Sequence, residues 1–233
     1  MTDAVEPCDL LVVAAFSPEL DALEGLLGPS MTGKIGELSV VARPVGIGMV
    51  AAASGMAARL VRMEPRAVVL VGTCGAYPGT QLAIGEVIVA RSVLLLEPAV
   101  LDLEAAFPEP MSARVEAHPS LSAAIGASGA RAEDVGTTLA VTTSDPLAAR
   151  LGRDAGVAVE HLEAFAVATA CAMHNVPFAG VLAVANAVGS VGREQWRKHH
   201  AAAGLAAAIY VARWIQAGAA GVPHHAKHRY GSS

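Results

Sequence analysis

Aromatic residues make up only 4% of this 233-residue chain and charged residues only 16%. With so few rings available, alanine, valine and leucine must fill the core. The formal net charge is −5, and no basic block precedes the short final segment. Phosphate binding along a nucleic acid needs a clustered positive field, so nucleic acid is excluded as a partner. There are three cysteines, Cys8, Cys74 and Cys171, widely spaced and without a CxxC pair. That excludes a disulfide framework and a zinc site, and fits a reducing cytoplasm. The opening stretch MTDAVEPCD is acidic and has no cationic segment, so no secretory signal is expected. The longest apolar run, AAAGLAAAIYVA (201–212), is too short for a membrane span and is followed by Arg213; it reads as a packed helix. Neither a Ser-His-Asp arrangement nor HExxH nor GxxxxGK(S/T) occurs, and no acidic cluster has metal-ligand spacing. No metal and no cofactor are expected.

Hydrophobic residues, by contrast, reach 54%, and β-like runs alternate with helical segments, which predicts an α/β layer structure. Strands are expected at 9–16, 38–45, 66–72, 85–95, 136–144 and 178–185. Several are apolar at every position, the pattern of strands covered on both faces. Helices are expected at 17–27, 48–64, 119–127, 146–154, 161–174 and 193–217. Ser17-Pro18 and Asp145-Pro146 read as N-caps followed by proline in the first turn, and Trp196 and Trp214 are available to anchor the longest helix. One domain is expected over 1–218, with a flexible tail over 219–233. The tail histidines His224, His225 and His228 are read as adventitious metal binders at most.

Active sites of α/β proteins gather at strand ends, and five polar places lie there. Glu19 falls in the first turn of a helix, where a carboxylate is either a helix-end stabiliser or a functional acid. VGTCGAYPG (71–79) offers small residues and the Thr73 hydroxyl after a buried strand; it is a ligand-approach turn or an ordinary strand exit. TTSDP (142–146) is a third place. EHLEAFA (160–166) contains Glu163 in a run nearly free of charge, where a buried carboxylate needs donors such as sugar hydroxyls; a surface glutamate is the alternative. His161 beside it is a general base or a packed, capping ring. The fifth place is Asn186, where VLAVANAVG (181–189) ends a buried strand on an amide.

Together these stretches resemble the nucleoside phosphorylase/nucleosidase superfamily over roughly residues 9–215. VVAAFSPELDAL is similar to its opening strand, turn and glutamate, and VGIGMVAAASG to its SGIGKVxAA segment. VVLVGTCGAYPGTQLAIGEVIVA resembles its strand, GSxGG-like turn and following strand, and VEHLEAFAVATACAMHNVPFAGVLAVAN resembles its MEGAAxA…VPFxxVRxISD run. The resemblance implies a three-layer α/β/α fold around a mixed, partly barrel-like sheet. It implies Glu19 as activator of the attacking water and Glu163 as hydrogen-bond partner of the ribose hydroxyls. Leu162 would lie beneath the sugar, Thr73 and Gly72 would approach base or ribose, and Ile47 would line the subsite beyond the 5′ carbon. A homodimer or higher homo-oligomer is implied, with the alanine-rich face of 48–60 available for it.

Departures from the family pattern sharpen this expectation. Leu70 stands where the phosphorylases have an arginine that holds phosphate, and no arginine lies in the Glu19 turn; without a guanidinium to pair with a dianion, water is favoured as nucleophile. Leu182 replaces a strand arginine, a difference that bears on the substrate. Asn186 stands where methylthioadenosine nucleosidases have an aspartate that protonates adenine. An amide cannot deliver that proton, yet it offers a donor and an acceptor to a 6-oxopurine. Futalosine hydrolases are similar here, with SNxVGxRD…W beside ANAVGSVGREQW of this chain. The expectation is hydrolysis of a futalosine-like nucleoside releasing hypoxanthine, in the cytoplasm. The alternatives are an adenine-releasing methylthioadenosine/S-adenosylhomocysteine-type nucleosidase and a non-catalytic nucleoside-binding protein. Pro146 replaces a phenylalanine against the base. A carboxylated substituent would need a cation, which Arg193 or Arg197 could supply.

Overall fold

The computed structural model describes residues 7–224; residues 1–6 and 225–233, with His225 and His228, lie outside the described residues. In chain order the elements begin with β1 (Leu10–Ala14), a 3-10 turn (Ser17–Leu23) and α1 (Glu24–Leu27). Next come β2 (Thr32–Ile35), β3 (Leu38–Pro44), α2 (Met49–Met63), β4 (Ala67–Ala76), β5 (Val87–Leu95) and α3 (Pro98–Leu101). The chain continues through β6 (Arg114–Glu116), α4 (Pro119–Gly126), β7 (Arg131–Thr137), α5 (Asp145–Ala155), β8 (Val159–Glu160), α6 (Ala164–Met173), β9 (Phe178–Ala187) and α7 (Gly192–Gln216).

These strands form one mixed sheet in the order β2-β3-β1-β4-β8-β7-β5-β6, and β9 pairs with both β4 and β5. The ring β4-β9-β5-β7-β8 therefore closes on itself, making the sheet partly a barrel. Both faces are covered, which is why β1 and β4 read as continuous apolar runs. On one side Met56 and Leu60 of α2 and Phe165 and Val167 of α6 pack on Leu11, Leu70 and Leu182. On the other, Ala203, Ala207 and Val211 of α7 pack on Val69, Ala183 and Ala185. Small side chains on both partners let α7 lie close to the sheet, and this seats its N-terminal half over the ends of β4 and β9. A bulge between Cys74 and Gly75 skips Ala185 in the pairing of β4 with β9, so that Gly75 stands opposite Asn186.

Several sequence expectations need correcting. The strand expected at 136–144 lies at Arg131–Thr137 instead, because β5 ends at Leu95 opposite Thr137 and nothing pairs beyond it. Ser17 does not cap its helix; Phe16 holds the N-cap position with no side-chain bond. Ser144, not Asp145, caps α5 by accepting from the Leu147 amide, while Asp145 accepts from the backbone and hydroxyl of Ser190. Trp214 does anchor α7, donating to the Ala220 carbonyl. The segment expected to be loose from 219 onward is packed as far as Pro223: Ala219 and Val222 are buried, and Arg66 donates to the Pro223 carbonyl. Among the described residues no helix is long and apolar enough to cross a membrane.

Candidate active site

The carboxyl-terminal ends of β1, β4 and β9, the segment before α6 and the start of α7 enclose a cavity of about 360 Å³. Its lining includes Glu19, Ile47, Thr73, Leu162, Glu163 and Asn186, six residues drawn from five stretches of sequence. Gly72 is not in the lining; it lies behind the Glu19 carboxylate and the His161 ring.

Glu19 is buried to 5% exposure in the 3-10 turn that follows β1. Thr73 donates to its Oε1 twice, from the backbone amide at 3.0 Å and from the hydroxyl at 3.2 Å. Oε2 has no protein partner. Burial pushes this carboxyl up to about 7, opposed by the Thr73 bonds and by the nearby Ala15 backbone amide, and helped by the charge of Glu163. A carboxyl poised there exchanges protons near neutrality, as a general base requires.

Glu163, also buried, is fixed from a different side. Its Oε1 accepts from the Gly48 amide at 2.7 Å, so it closes the exposed N-terminus of α2 with a negative charge. Gly48 adopts φ +83°, a backbone conformation that favours glycine and aims its N–H at the carboxylate. Glu163 Oε2 lies 3.3 Å from His161 Nδ1. His161 Nδ1 in turn accepts from the backbone amides of Glu163 and Ala164, at 3.2 and 3.1 Å, capping α6. Burial holds its pKa down, against the pull of Glu163. Two amides aimed at one lone pair, together with burial, define a neutral ring with its proton on Nε2.

Asn186 is half-buried, and its Nδ2 donates to the Ala187 carbonyl at 2.8 Å. A carbonyl can only accept, so this bond fixes the orientation of the amide. The second N–H and Oδ1 make no such bond and are left for the cavity. Gly75 permits this arrangement, for a Cβ there would stand 2.9 Å from Nδ2 and 2.8 Å from Val188 Cγ2.

Two features escape sequence reasoning. Trp196 does more than anchor α7: besides donating from Nε1 to Thr73 Oγ1 of β4 at 3.3 Å, it lines the cavity and stacks on His200 at 4.2 Å. Its position on the first turns of α7 was the available signal. Glu160, buried at the end of β8, accepts from the Thr142 amide and hydroxyl and from the Tyr77 hydroxyl. It thereby pins the 142–143 wall of the cavity. Arg193 and Arg197, one helical turn apart and both exposed, also border the cavity. Pro146 is not in its lining. Among the described residues no group of three His, Cys, Asp or Glu is placed to hold a metal ion.

A nine-stranded, partly closed sheet with the buried carboxylates of Glu19, Glu160 and Glu163 at one cavity is the nucleoside phosphorylase class of α/β fold. The family signature of the Phosphorylase superfamily matches residues 16–216, and the chain belongs to that superfamily. A 92-residue stretch is 41% identical to futalosine hydrolase of Streptomyces coelicolor, covering 39% of each chain. The fold matches that of the 5′-methylthioadenosine/S-adenosylhomocysteine nucleosidase of Neisseria meningitidis, crystallised with methylthio-immucillin-A, with a TM-score of 0.80 at 20% identity over 89% of this chain and 98% of the other. Futalosine hydrolase of Helicobacter pylori superposes with a TM-score of 0.81 at 13% identity, over 91% and 98% of the two chains.

Proposed function

We propose that the chain is a nucleosidase that hydrolyses the N-glycosidic bond of a futalosine-like 6-oxopurine nucleoside and releases hypoxanthine. The observation that carries this reading is the convergence of Glu19, Glu163 and Asn186 on one cavity. Cleavage passes through an oxocarbenium-like sugar, which a nearby carboxylate stabilises while it takes a proton from water. Glu19 has that role. Glu163 binds the ribose hydroxyls through the oxygen not committed to Gly48, holding C1′ within reach of the water. Ile47, Leu162 and Thr73 bound the sugar, and the spare N–H of Asn186 donates to the departing purine without giving up a proton.

Water rather than phosphate is the nucleophile. Leu70, a fully buried apolar residue of β4, stands where phosphorylases of the superfamily carry a phosphate-holding arginine, and no arginine lies in the Glu19 turn. The guanidinium groups of Arg193 and Arg197 instead suit a carboxylate on the far substituent of the nucleoside. We further propose that two copies pair across the outer face of α2, which buries Met56 and Leu60 yet leaves Val50 and Val61 exposed. Light scattering that reports a monomer would refute the pairing.

The test is base release from futalosine, inosine and methylthioadenosine, followed by chromatography with and without phosphate. Preferential hypoxanthine release, unaffected by phosphate, is expected. Preferential adenine release would overturn the reading of Asn186, and phosphate dependence would overturn the hydrolase assignment.

A further inference from the structure

His161 and Glu19 present complementary, unpaired groups to the same point. A Cβ built on Gly72 would stand 3.0 Å from His161 Nε2 and 3.4 and 3.6 Å from the two Glu19 carboxylate oxygens. Any side chain at this position would crowd both groups: they converge beside Gly72, and His161 and Glu19 both line the cavity. The donor identity follows from the other side of the ring, where Nδ1 is occupied as acceptor by the amides of Glu163 and Ala164. Glu19 Oε2, buried and without a protein partner, is the acceptor; its Oε1 is already committed to Thr73.

We propose that His161 is the second anchor of the attacking water, its Nε2–H donating to the water oxygen while Glu19 Oε2 accepts a water proton. The inference rests on the nucleosidase reading given above. A water held by one acceptor alone can turn about that bond. A donor on its oxygen directs the remaining lone pair, and orientation of this kind supplies part of the barrier reduction when a water must approach C1′ along one line. In the reaction the water oxygen bonds to C1′ as the C1′–N bond breaks, and the electron pair of that bond passes to the purine. Glu19 takes one water proton and the other stays on the new sugar hydroxyl. The purine picks up its proton from solvent, and His161 keeps its own throughout. His161 also links the two carboxylates mechanically, because the ring that faces Glu19 is held at Nδ1 by the backbone of Glu163.

Two substitutions separate the water-anchoring role from the helix cap. In His161→Asn the amide oxygen can replace Nδ1 as acceptor for α6, but nothing reaches the Nε2 position. In His161→Gln the longer amide returns an N–H near the Nε2 position and loses the cap. With the full chain and the nucleoside that the wild type cleaves best, His161→Asn should keep the wild-type melting temperature. It should lower kcat by about 10- to 100-fold, as expected for one lost hydrogen bond to the reacting water, with KM within about twofold. His161→Gln should melt lower yet recover part of kcat. Wild-type kcat in His161→Asn, or losses of kcat that track melting temperature in both variants, would reduce His161 to a cap and overturn the proposal. A wild type that releases no base from any nucleoside overturns the proposed function, and this inference with it; an active wild type with an unaffected His161→Asn overturns this inference alone.

Discussion

Thr73 donates to Glu19 from both its backbone amide and its hydroxyl, and both bonds converge on Oε1. The arrangement splits the carboxylate into an anchored oxygen and a free one. It also sets the pH at which Glu19 becomes a base. Burial pushes the group up to about 7 and the Thr73 bonds restrain it. Because only the ionised form accepts a water proton, log kcat/KM should rise with unit slope on the acid side and level off above about pH 7. Thr73→Val keeps the amide bond and removes the hydroxyl, so the ionised form is less favoured. Its acid limb should move to higher pH, by roughly 0.5–1 unit. A limb that stays in place, or moves to lower pH, would separate the titrating group from Glu19.

The same burial makes Glu19 a stability liability at neutral pH and above. Its folded pKa of about 7 exceeds the ordinary 4.5, so the folded state holds this proton more tightly than the unfolded chain does. The contribution to stability is full below about pH 4.5 and is lost as pH rises through 7. Glu19→Gln keeps an acceptor for Thr73 and carries no charge. Urea unfolding at pH 8 should show the variant more stable by up to about 3 kcal/mol, with the difference shrinking toward pH 5. Turnover should fall by about 10²–10⁴-fold. Equal stability of the two proteins at pH 8 would mean that the carboxylate is not desolvated.

Much of this fold is legible in the sequence because local signals and burial agree. The apolar runs of β1, β4 and β9 need no partner to be recognised, and α7 announces itself by length. What stays hidden depends on pairs distant in the chain. In β7 the carboxylate of Asp134 is tolerated because Arg91 and Ser92 of β5 bond to it, a compensation with no local trace. The β-branched run after Thr137 looks like a strand, yet Glu160 takes the Thr142 amide and hydroxyl away from any ladder. In the site, Glu19, Glu163 and Asn186 are legible as polar residues ending apolar runs. The capping option for His161 is legible too, because the cap is local; the approach of its ring to Glu19 is not, since that requires β8 and β4 to be neighbours.

Asn186 offers a test of base recognition. Its Nδ2 donates to the Ala187 carbonyl, so Asn186→Asp would set a carboxylate oxygen against that carbonyl. Two acceptors repel, and the repulsion turns the carboxyl away from Ala187 toward the cavity, where its single proton can pass to a purine nitrogen. Adenine release from methylthioadenosine should rise by at least about tenfold relative to hypoxanthine release from inosine, an energy of about 1.4 kcal/mol. An unchanged ratio would mean that residue 186 does not meet the base.

Arg193 and Arg197 make a prediction that separates the substituent from the sugar. Both are exposed at the border of the cavity, so any ion pair they form with a substrate carboxylate is partly screened. Such a pair is worth about 1 kcal/mol or less, and it acts equally on the bound substrate and on the transition state, because the far carboxylate does not change as C1′–N breaks. Arg197→Ala should therefore raise KM for a carboxylated nucleoside up to about fivefold and leave its kcat alone. The KM for inosine, which has no such group, should not move. Added salt should raise the wild-type KM for the carboxylated substrate and narrow its difference from the variant. Equal effects of the substitution on both nucleosides would place Arg197 against the sugar or base instead.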